Sequence, residues 1–115
     1  MSENINTIDR FETFSVNEKE YKIQFTIKTL IMLEKELSAK SILDTLASPP
    51  FTFGDTFIMF KWGLIGGGNK INEEKAEELM LAYTETYSFA ELQALIISAL
   101  AKSGAIGRPD KKRKN

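Results

Sequence analysis

Apolar and polar side chains alternate in two short runs near the start of the chain. The runs cover residues 11–16 and 21–26, and the polar segment 17–20 lies between them. Both runs are rich in β-forming residues, so the pattern predicts a hairpin of two antiparallel strands. Because an isolated hairpin is marginally stable in water, we expect its apolar side to pack on helices or its edge to pair with a neighbouring chain.

From residue 27 onward the apolar positions recur every three or four residues, which predicts helices. The apolar stripe of the first helix contains Ile27, Leu30, Ile31, Leu33 and Leu37. Ser41 can cap a short second helix through its side-chain oxygen, and Pro49 and Pro50 end that helix.

A third helix is predicted over residues 51–65, where Thr52 and Asp55 provide a favourable start. Its apolar side chains fall on two faces. The first face carries Phe53, Phe57, Phe60 and Leu64, and the second carries Ile58, Trp62 and Ile65. Such a helix either lies at the centre of a small bundle or buries one face against a partner.

Three consecutive glycines, Gly66, Gly67 and Gly68, end the third helix. Glycine adopts positive φ at little steric cost, so we expect this segment to act as a mobile hinge. A phosphate-binding loop is the alternative interpretation. It is disfavoured because the glycines follow a helix, and because residues 69–71 lack the Lys-Ser/Thr pair of such loops.

Two further helices follow the glycines. Asn72 can cap the fourth helix, and the apolar stripe of that helix is Ala76, Leu79, Met80 and Tyr83. Its glutamates are interpreted as a solvated face, since consecutive side chains on a helix point in different directions. The sequence Ser-Phe-Ala-Glu at 88–91 is a capping box, which predicts a fifth helix that ends near Lys102, before Gly104.

Together these segments predict a mainly α (α+β) fold. One domain over residues 1–104 holds the N-terminal hairpin, at about residues 10–26, and a bundle of about five short helices. Residues 105–115 are expected to form a disordered basic tail. The basic residues of this tail are Arg108, Lys111, Lys112, Arg113 and Lys114.

Composition removes most catalytic chemistry. The chain of 115 residues contains no cysteine and no histidine, so thiol nucleophiles, thiolate metal sites and histidine acid–base catalysis are excluded. The Asp, Glu and Lys residues form no recognisable catalytic constellation. We therefore expect a protein that is not an enzyme and that carries no cofactor or metal.

Charge and hydropathy indicate where the protein acts. The net charge is −1, and because residues 105–115 carry +4, the rest of the chain carries −5. An acidic body is a poor surface for a polyanion, so nucleic acid is not the expected partner. The N-terminus lacks the features of a secretory signal. The longest nearly unbroken apolar run, 94–101 with only Ser98 interrupting, is far below the roughly 20 residues of a membrane span. We expect a cytoplasmic protein without a membrane partner.

The third and fifth helices carry more apolar side chains than one seam of a small bundle requires. The residues expected to contact a partner are Phe53, Phe57, Phe60, Trp62, Leu92, Leu95, Ile96 and Leu100. An all-round covered central helix explains the same pattern without a partner. Both explanations remain open at the level of sequence.

The order of these features resembles the tail assembly chaperones of long-tailed bacteriophages and of related gene transfer agents. The resemblance spans about residues 20–100. It is carried by Thr-Leu-Ile-Met-Leu-Glu-Lys-Glu-Leu at 29–37, Ser-Ile-Leu at 41–43, Trp-Gly-Leu-Ile-Gly-Gly-Gly at 62–68 and Glu-Glu-Lys-Ala at 73–76, within the hairpin-then-helices order.

The resemblance implies a function in virion assembly. Proteins of that family bind the tape-measure protein in the bacterial host cytoplasm, keep it soluble while the tail tube polymerises, and leave the finished particle. It also implies a homo-oligomer, and a longer form made by ribosomal frameshifting that reaches the tail-tube protein. Adaptable side chains such as Met32, Met59 and Met80 suit a surface that holds a helical client.

Two other functions fit the sequence. A structural tail subunit, such as a tube or completion protein, would also lack catalytic residues and would oligomerise. A nucleic-acid-binding regulator would use the basic tail, and its binding would weaken steeply with salt. The acidic body argues against the regulator.

Overall fold

Two strands and five helices make up the described part of the chain. The structure is a computed structural model, and it describes residues 10–37, 41–47 and 52–106. The elements are β1 (Phe11–Val16), β2 (Lys19–Gln24), α1 (Ile27–Glu36), α2 (Ile42–Ala47), α3 (Phe53–Gly66), α4 (Glu73–Thr86) and α5 (Phe89–Ser103). The predicted fold class, mainly α with an N-terminal hairpin, is confirmed.

The hairpin turn is tighter than the sequence pattern predicted. Val16 pairs with Lys19, so the turn consists of Asn17 and Glu18 alone, and the segment 19–20 belongs to β2. Asn17 and Glu18 have φ values of 53° and 63°, as a two-residue turn requires to match the twist of its strands. The expectation of a four-residue turn over 17–20 was therefore wrong.

One face of the hairpin closes the helical bundle. Phe14, Val16, Tyr21 and Ile23 are buried, and the rings of Phe14 and Tyr21 stack with their centroids 5.4 Å apart. The Phe14 ring also contacts Phe60 of α3 at 5.6 Å. The hairpin therefore packs its apolar side on the helices, one of the two arrangements that the sequence allowed.

Helix α3 lies at the centre of the fold. It packs against β2, α1, α4 and α5, and its residues Met59, Phe60 and Leu64 have no exposed surface. A helix surrounded on several sides needs apolar side chains on more than one face. This explains the two apolar faces of α3 seen in the sequence.

Helix α1 is rotated relative to its predicted stripe. Thr29 and Leu33 are its buried residues, whereas Ile27 and Ile31 are exposed. The Thr29 hydroxyl and the Thr26 side chain form a capping box at the start of the helix, which satisfies a buried hydroxyl. The expectation that Ile27 and Ile31 belong to the core was therefore wrong.

Ion pairs join elements that are distant in sequence. The buried Lys61 ammonium on α3 lies 3.0 Å from the Glu36 carboxylate and 3.2 Å from the Glu73 carboxylate. Lys102 lies 3.1 Å from the carboxylate of Glu12, so α5 is also fastened to β1. Because the charge of Lys61 is held away from water, it requires these partners.

Candidate functional site

An open apolar groove lies where the start of α3 meets α4 and the start of α5. It has a volume of about 500 Å³ and is lined by Phe53, Gly54, Phe57, Glu77, Met80, Leu81, Thr84 and Phe89. We call it the Phe53 groove. Concave, mostly apolar sites of this size are typical of binding sites in proteins.

Local capping places the two aromatic rings of the groove. The Thr52 side chain accepts a hydrogen bond from the Asp55 N–H at 2.9 Å, so α3 begins at Phe53. The Ser88–Glu91 capping box likewise begins α5 at Phe89. Both aromatic residues occupy the first position of a helix, and their rings contact each other with centroids 4.4 Å apart. The Phe89 ring also packs against the core.

The groove exposes large apolar side chains to water. Phe53 is 70% exposed and Leu81 is 62% exposed. Burying such side chains against a partner contributes about 25 cal/mol per Å² of apolar surface. An apolar concavity with exposed rims is the kind of surface that binds another polypeptide.

The eight residues predicted to contact a partner divide between the groove and the core. Phe53 and Phe57 line the groove, and Leu95 is half-buried against the core. Four others, Phe60, Leu92, Ile96 and Leu100, have no exposed surface. These four are core residues, because α5 packs against the hairpin as well as against α3 and α4.

Trp62, the eighth residue, lies away from the groove. It lines a second cavity of about 360 Å³ with Thr26, Lys28, Thr29, Met32, Ile65 and Gly66. The Lys61 ammonium lies 5.3 Å from the centre of the indole ring. The indole N–H is buried and has no acceptor within the described residues. The structure therefore does not bring Trp62 together with Phe53 and Phe57.

Two of the three consecutive glycines, Gly66 and Gly67, are closely packed. A Cβ atom at Gly66 would lie 2.0 Å from the Gln24 carbonyl oxygen, and one at Gly67 would lie 2.1 Å from the Lys22 carbonyl oxygen. The Asn69 amide donates hydrogen bonds to the carbonyls of Lys22 (2.7 Å) and Leu64 (2.9 Å). These contacts hold the end of α3 on β2, so Gly66 and Gly67 allow a close approach of the two backbones. The mobile hinge expected at Gly66, Gly67 and Gly68 stays a prediction.

Of the predicted basic tail, the structure describes the first two residues. Arg108, Lys111, Lys112, Arg113 and Lys114 lie outside the described residues. Ala105 and Ile106, which the sequence assigned to the tail, pack against the core. The Ala105 N–H donates to the Leu100 carbonyl beyond the left-handed Gly104, which ends α5 with a Schellman-type bond.

Three residues of the groove were missed from the sequence. Met80 was placed in the core stripe of α4, Phe89 was noted only for its place in the capping box, and Leu81 was not singled out. A signal for Leu81 does exist: it is a large apolar residue on a helical face that carries glutamates at positions 77, 78 and 85. An isolated apolar side chain on a charged face is a candidate for contact with a partner.

Tyr83, on the buried face of α4, contacts two further aromatic side chains. The Tyr83 ring lies 4.7 Å from the Tyr87 ring and 5.5 Å from the Phe14 ring, centroid to centroid. Burial raises the pKa of the Tyr83 hydroxyl above its ordinary value of 10.0, and the nearby Glu91 carboxylate and Tyr87 raise it further. Tyr83 is thus a neutral, largely buried group at neutral pH.

The described residues offer no metal site and no membrane span. No group of three Asp or Glu side chains among them is placed to hold a metal ion. Within the same residues, no helix has the length and apolar character needed to cross a bilayer. The lining of the groove can bury apolar side chains beside the Glu77 carboxylate.

Comparison of the chain with protein-family models, with curated proteins and with solved structures finds no match. The candidate site is accordingly defined by its own geometry. That geometry consists of the exposed Phe53 ring in contact with the partly buried Phe89 ring, an apolar floor from α3 and α4, and an acidic side chain at the rim.

Proposed function

We propose that this protein is a tail assembly chaperone that holds apolar helical segments of the tape-measure protein in the Phe53 groove. The single observation that carries the proposal is the exposure of Phe53 and Leu81 beside an apolar concavity. The two side chains lie on α3 and α4, which are fixed by the core, so the groove does not need to form upon binding.

The groove suits a helical client. Glu77, Met80, Leu81 and Thr84 follow helical spacing along α4 and form one wall. A client helix that presents apolar side chains every three or four residues can bury them between this wall and the Phe53 ring. The Met80 side chain adds plasticity, which suits a chaperone that must hold several client segments.

The identity of the client comes from the family resemblance. A tape-measure protein is a long helical polypeptide with many apolar segments, and it needs many chaperone copies along its length. The proposal therefore includes action in the bacterial host cytoplasm, self-association, absence from the finished virion and a frameshifted longer form that contacts the tail-tube protein.

Co-expression with the tape-measure protein of the same genome tests the proposal. The wild-type chain is expected to raise the soluble fraction of the tape-measure protein and to co-purify with it. Phe53→Ser combined with Leu81→Ser should abolish both effects, because both changes remove apolar surface from the groove without touching the core.

A matched control is available on α1. Ile27 is 73% exposed and Ile31 is 52% exposed, and neither lines the groove. Ile27→Ser combined with Ile31→Ser should leave co-purification intact. The proposal fails if the tape-measure protein is equally insoluble with and without the chain, or if the two double variants behave alike.

Mass spectrometry of purified virions separates the chaperone from a structural tail subunit. A chaperone leaves no peptide of this chain in the finished particle, whereas a tube or completion subunit is found there in stoichiometric amount. If virions contain the chain in such an amount, the protein is a structural tail subunit and the chaperone proposal is wrong.

A further inference from the structure

Helix α1 presents a surface that complements the Phe53 groove. Its exposed face carries Ile27 and Ile31, and the exposed Lys28 and Lys35 lie along one side of that face. The two glutamates of this helix are engaged elsewhere in the chain. Glu34 accepts a hydrogen bond from the Ile42 N–H at 2.7 Å, and Glu36 pairs with Lys61. The free face of α1 is therefore apolar and positively charged.

The groove offers the opposite charge. Glu77 lines it, and α4 as a whole carries five glutamates and one lysine. That lysine, Lys75, already lies 3.8 Å from Glu78. Among the described residues, no lysine or arginine lines the groove. An apolar floor with an acidic rim favours an apolar helix that carries basic residues at its sides.

The dimensions of the two surfaces also agree. From Glu77 to Thr84 the α4 wall is about 10 Å long, and from Lys28 to Lys35 the α1 face is about 10 Å long, at 1.5 Å per residue. Both surfaces lie on described helices, so each is presented by a fixed backbone. Two turns of α1 can therefore lie along the groove.

Helix α1 cannot reach the groove of its own chain. The start of α1 packs beside the end of α3, where Thr29 approaches Gly66. The groove lies at the other end of α3, at Phe53. These two ends are about 20 Å apart for a helix of this length. A contact between α1 and the groove must therefore join two copies.

We infer that the chain self-associates head to tail, with the α1 face of one copy seated in the Phe53 groove of the next. The two surfaces in this contact are different, and in the head-to-tail arrangement the contact repeats from copy to copy and produces a ring or a filament, whereas a reciprocal exchange about a twofold axis would stop at a dimer. The inference rests in part on the proposed function, since an apolar client segment and α1 would compete for one groove. Self-association would then keep the groove covered until a client displaces α1.

Sedimentation equilibrium of the chain alone tests the inference. Concentration-dependent association is expected for the wild type. The groove variant, Phe53→Ser with Leu81→Ser, and the α1 variant, Ile27→Ser with Ile31→Ser, should each be monomeric. Leu43→Ser on α2 is the matched control, because Leu43 is exposed but belongs to neither surface, and it should associate like the wild type.

Mixing the two variants gives the decisive result. The groove variant keeps an intact α1 face and the α1 variant keeps an intact groove, so an equimolar mixture should form a one-to-one dimer and nothing larger. A contact of groove with groove, or of α1 with α1, could not be restored in this way. Circular dichroism of each variant checks that its fold is intact.

Charge reversal tests the orientation of the contact. Glu77→Lys and Lys28→Glu should each weaken association about fivefold at low salt, as the loss of one or two exposed ion pairs would, and the combined change should restore it. The inference is overturned if the wild type stays monomeric at about 1 mM, a concentration that detects even weak contacts, or if the mixed variants remain monomers. A monomeric wild type would also remove self-association from the proposed function. Neither result affects the proposed binding of the tape-measure protein in the groove, because co-purification is measured separately, also on the α1 variant.

Discussion

Gly67 determines how closely the end of α3 approaches β2. A Cβ atom at this position would lie 2.1 Å from the Lys22 carbonyl oxygen, and a backbone atom cannot move aside as the end of a flexible side chain can. Gly67→Ala should therefore lower the free energy of unfolding by about 1–3 kcal/mol or more, as other overpacking changes do. Equilibrium unfolding in urea measures the change.

Gly54→Ala is the control for the same substitution. The nearest atom to a Cβ at Gly54 is the Thr52 hydroxyl oxygen, at 3.9 Å, so the added methyl group meets no obstacle. Alanine at this helical position should raise the free energy of unfolding by up to about 1 kcal/mol. Equal destabilisation by both changes would contradict the close approach of Gly67 to β2.

The raised pKa of the Tyr83 hydroxyl predicts that the protein loses stability at high pH. Its pKa is raised in the folded protein, first by burial, so the unfolded chain releases this proton at lower pH than the folded one. The contribution of Tyr83 to stability is therefore complete below pH 10 and is lost as the pH rises through its folded pKa.

Tyr83→Phe isolates that contribution, because phenylalanine keeps the ring and removes the proton. The free energies of unfolding of the variant and the wild type should be compared by urea titration at about pH 8 and about pH 11, below and above the ordinary tyrosine pKa. At the higher pH, we expect the free energy of unfolding of the variant to rise relative to that of the wild type. A constant difference between the two proteins would show that Tyr83 titrates alike in both states.

Individual residues also mark the limit of what the sequence predicted. The alternation of Phe14 and Val16 with polar residues correctly placed their side chains in the core. The exposure of Ile27 and Ile31 was not predicted, because the rotation of α1 depends on how its Thr26–Thr29 capping box meets α3. Periodicity identifies an apolar stripe but not the element that covers it.

Among the elements, the hairpin carries an avoidable strain. Glu18 occupies the left-handed region at φ 63°, which costs a residue with a Cβ atom about 1–2 kcal/mol. Glu18→Gly creates the Asn-Gly pair preferred in such turns and should stabilise the protein by up to about 1 kcal/mol, after the entropy cost of glycine is subtracted. Thermal unfolding followed by circular dichroism measures it.

Glu20→Gly provides the comparison within the same hairpin. Glu20 pairs with Ser15 inside β2, where glycine weakens a strand. This change should lower the melting temperature, whereas Glu18→Gly should raise it. Lower melting temperatures for both variants would contradict the two-residue turn.

Helix starts were predictable because capping is local. The side chains of Thr52, Asn72 and Ser88 each accept a hydrogen bond from the N–H three residues later, as the sequence predicted. The hairpin turn was not predictable in the same way. A positive φ at a glutamate cannot be recognised from the order of apolar and polar residues. The pairing register that places Lys19 and Glu20 in β2 follows from the turn.

In the whole molecule, the extra apolar side chains that the sequence places on its third and fifth helices fall into two groups, one in the core and one in the groove. The central position of α3 and the cover of the hairpin over α5 bury half of the predicted partner-binding residues. Phe53 and Phe57 remain, and they meet Met80, Leu81 and Phe89 only because three helices converge there. The groove depends on contacts distant in sequence, so its full membership could not be predicted from periodicity.

The central claim is that the Phe53 groove contacts the tape-measure protein during tail assembly. A photo-crosslinking amino acid at position 81 tests it most directly, with the same group at position 27 as the control, since both positions are exposed. After irradiation of infected cells, mass spectrometry should find tape-measure peptides joined to position 81 and none joined to position 27. Tape-measure adducts at position 27 alone, or equal adducts at both positions, would contradict the claim.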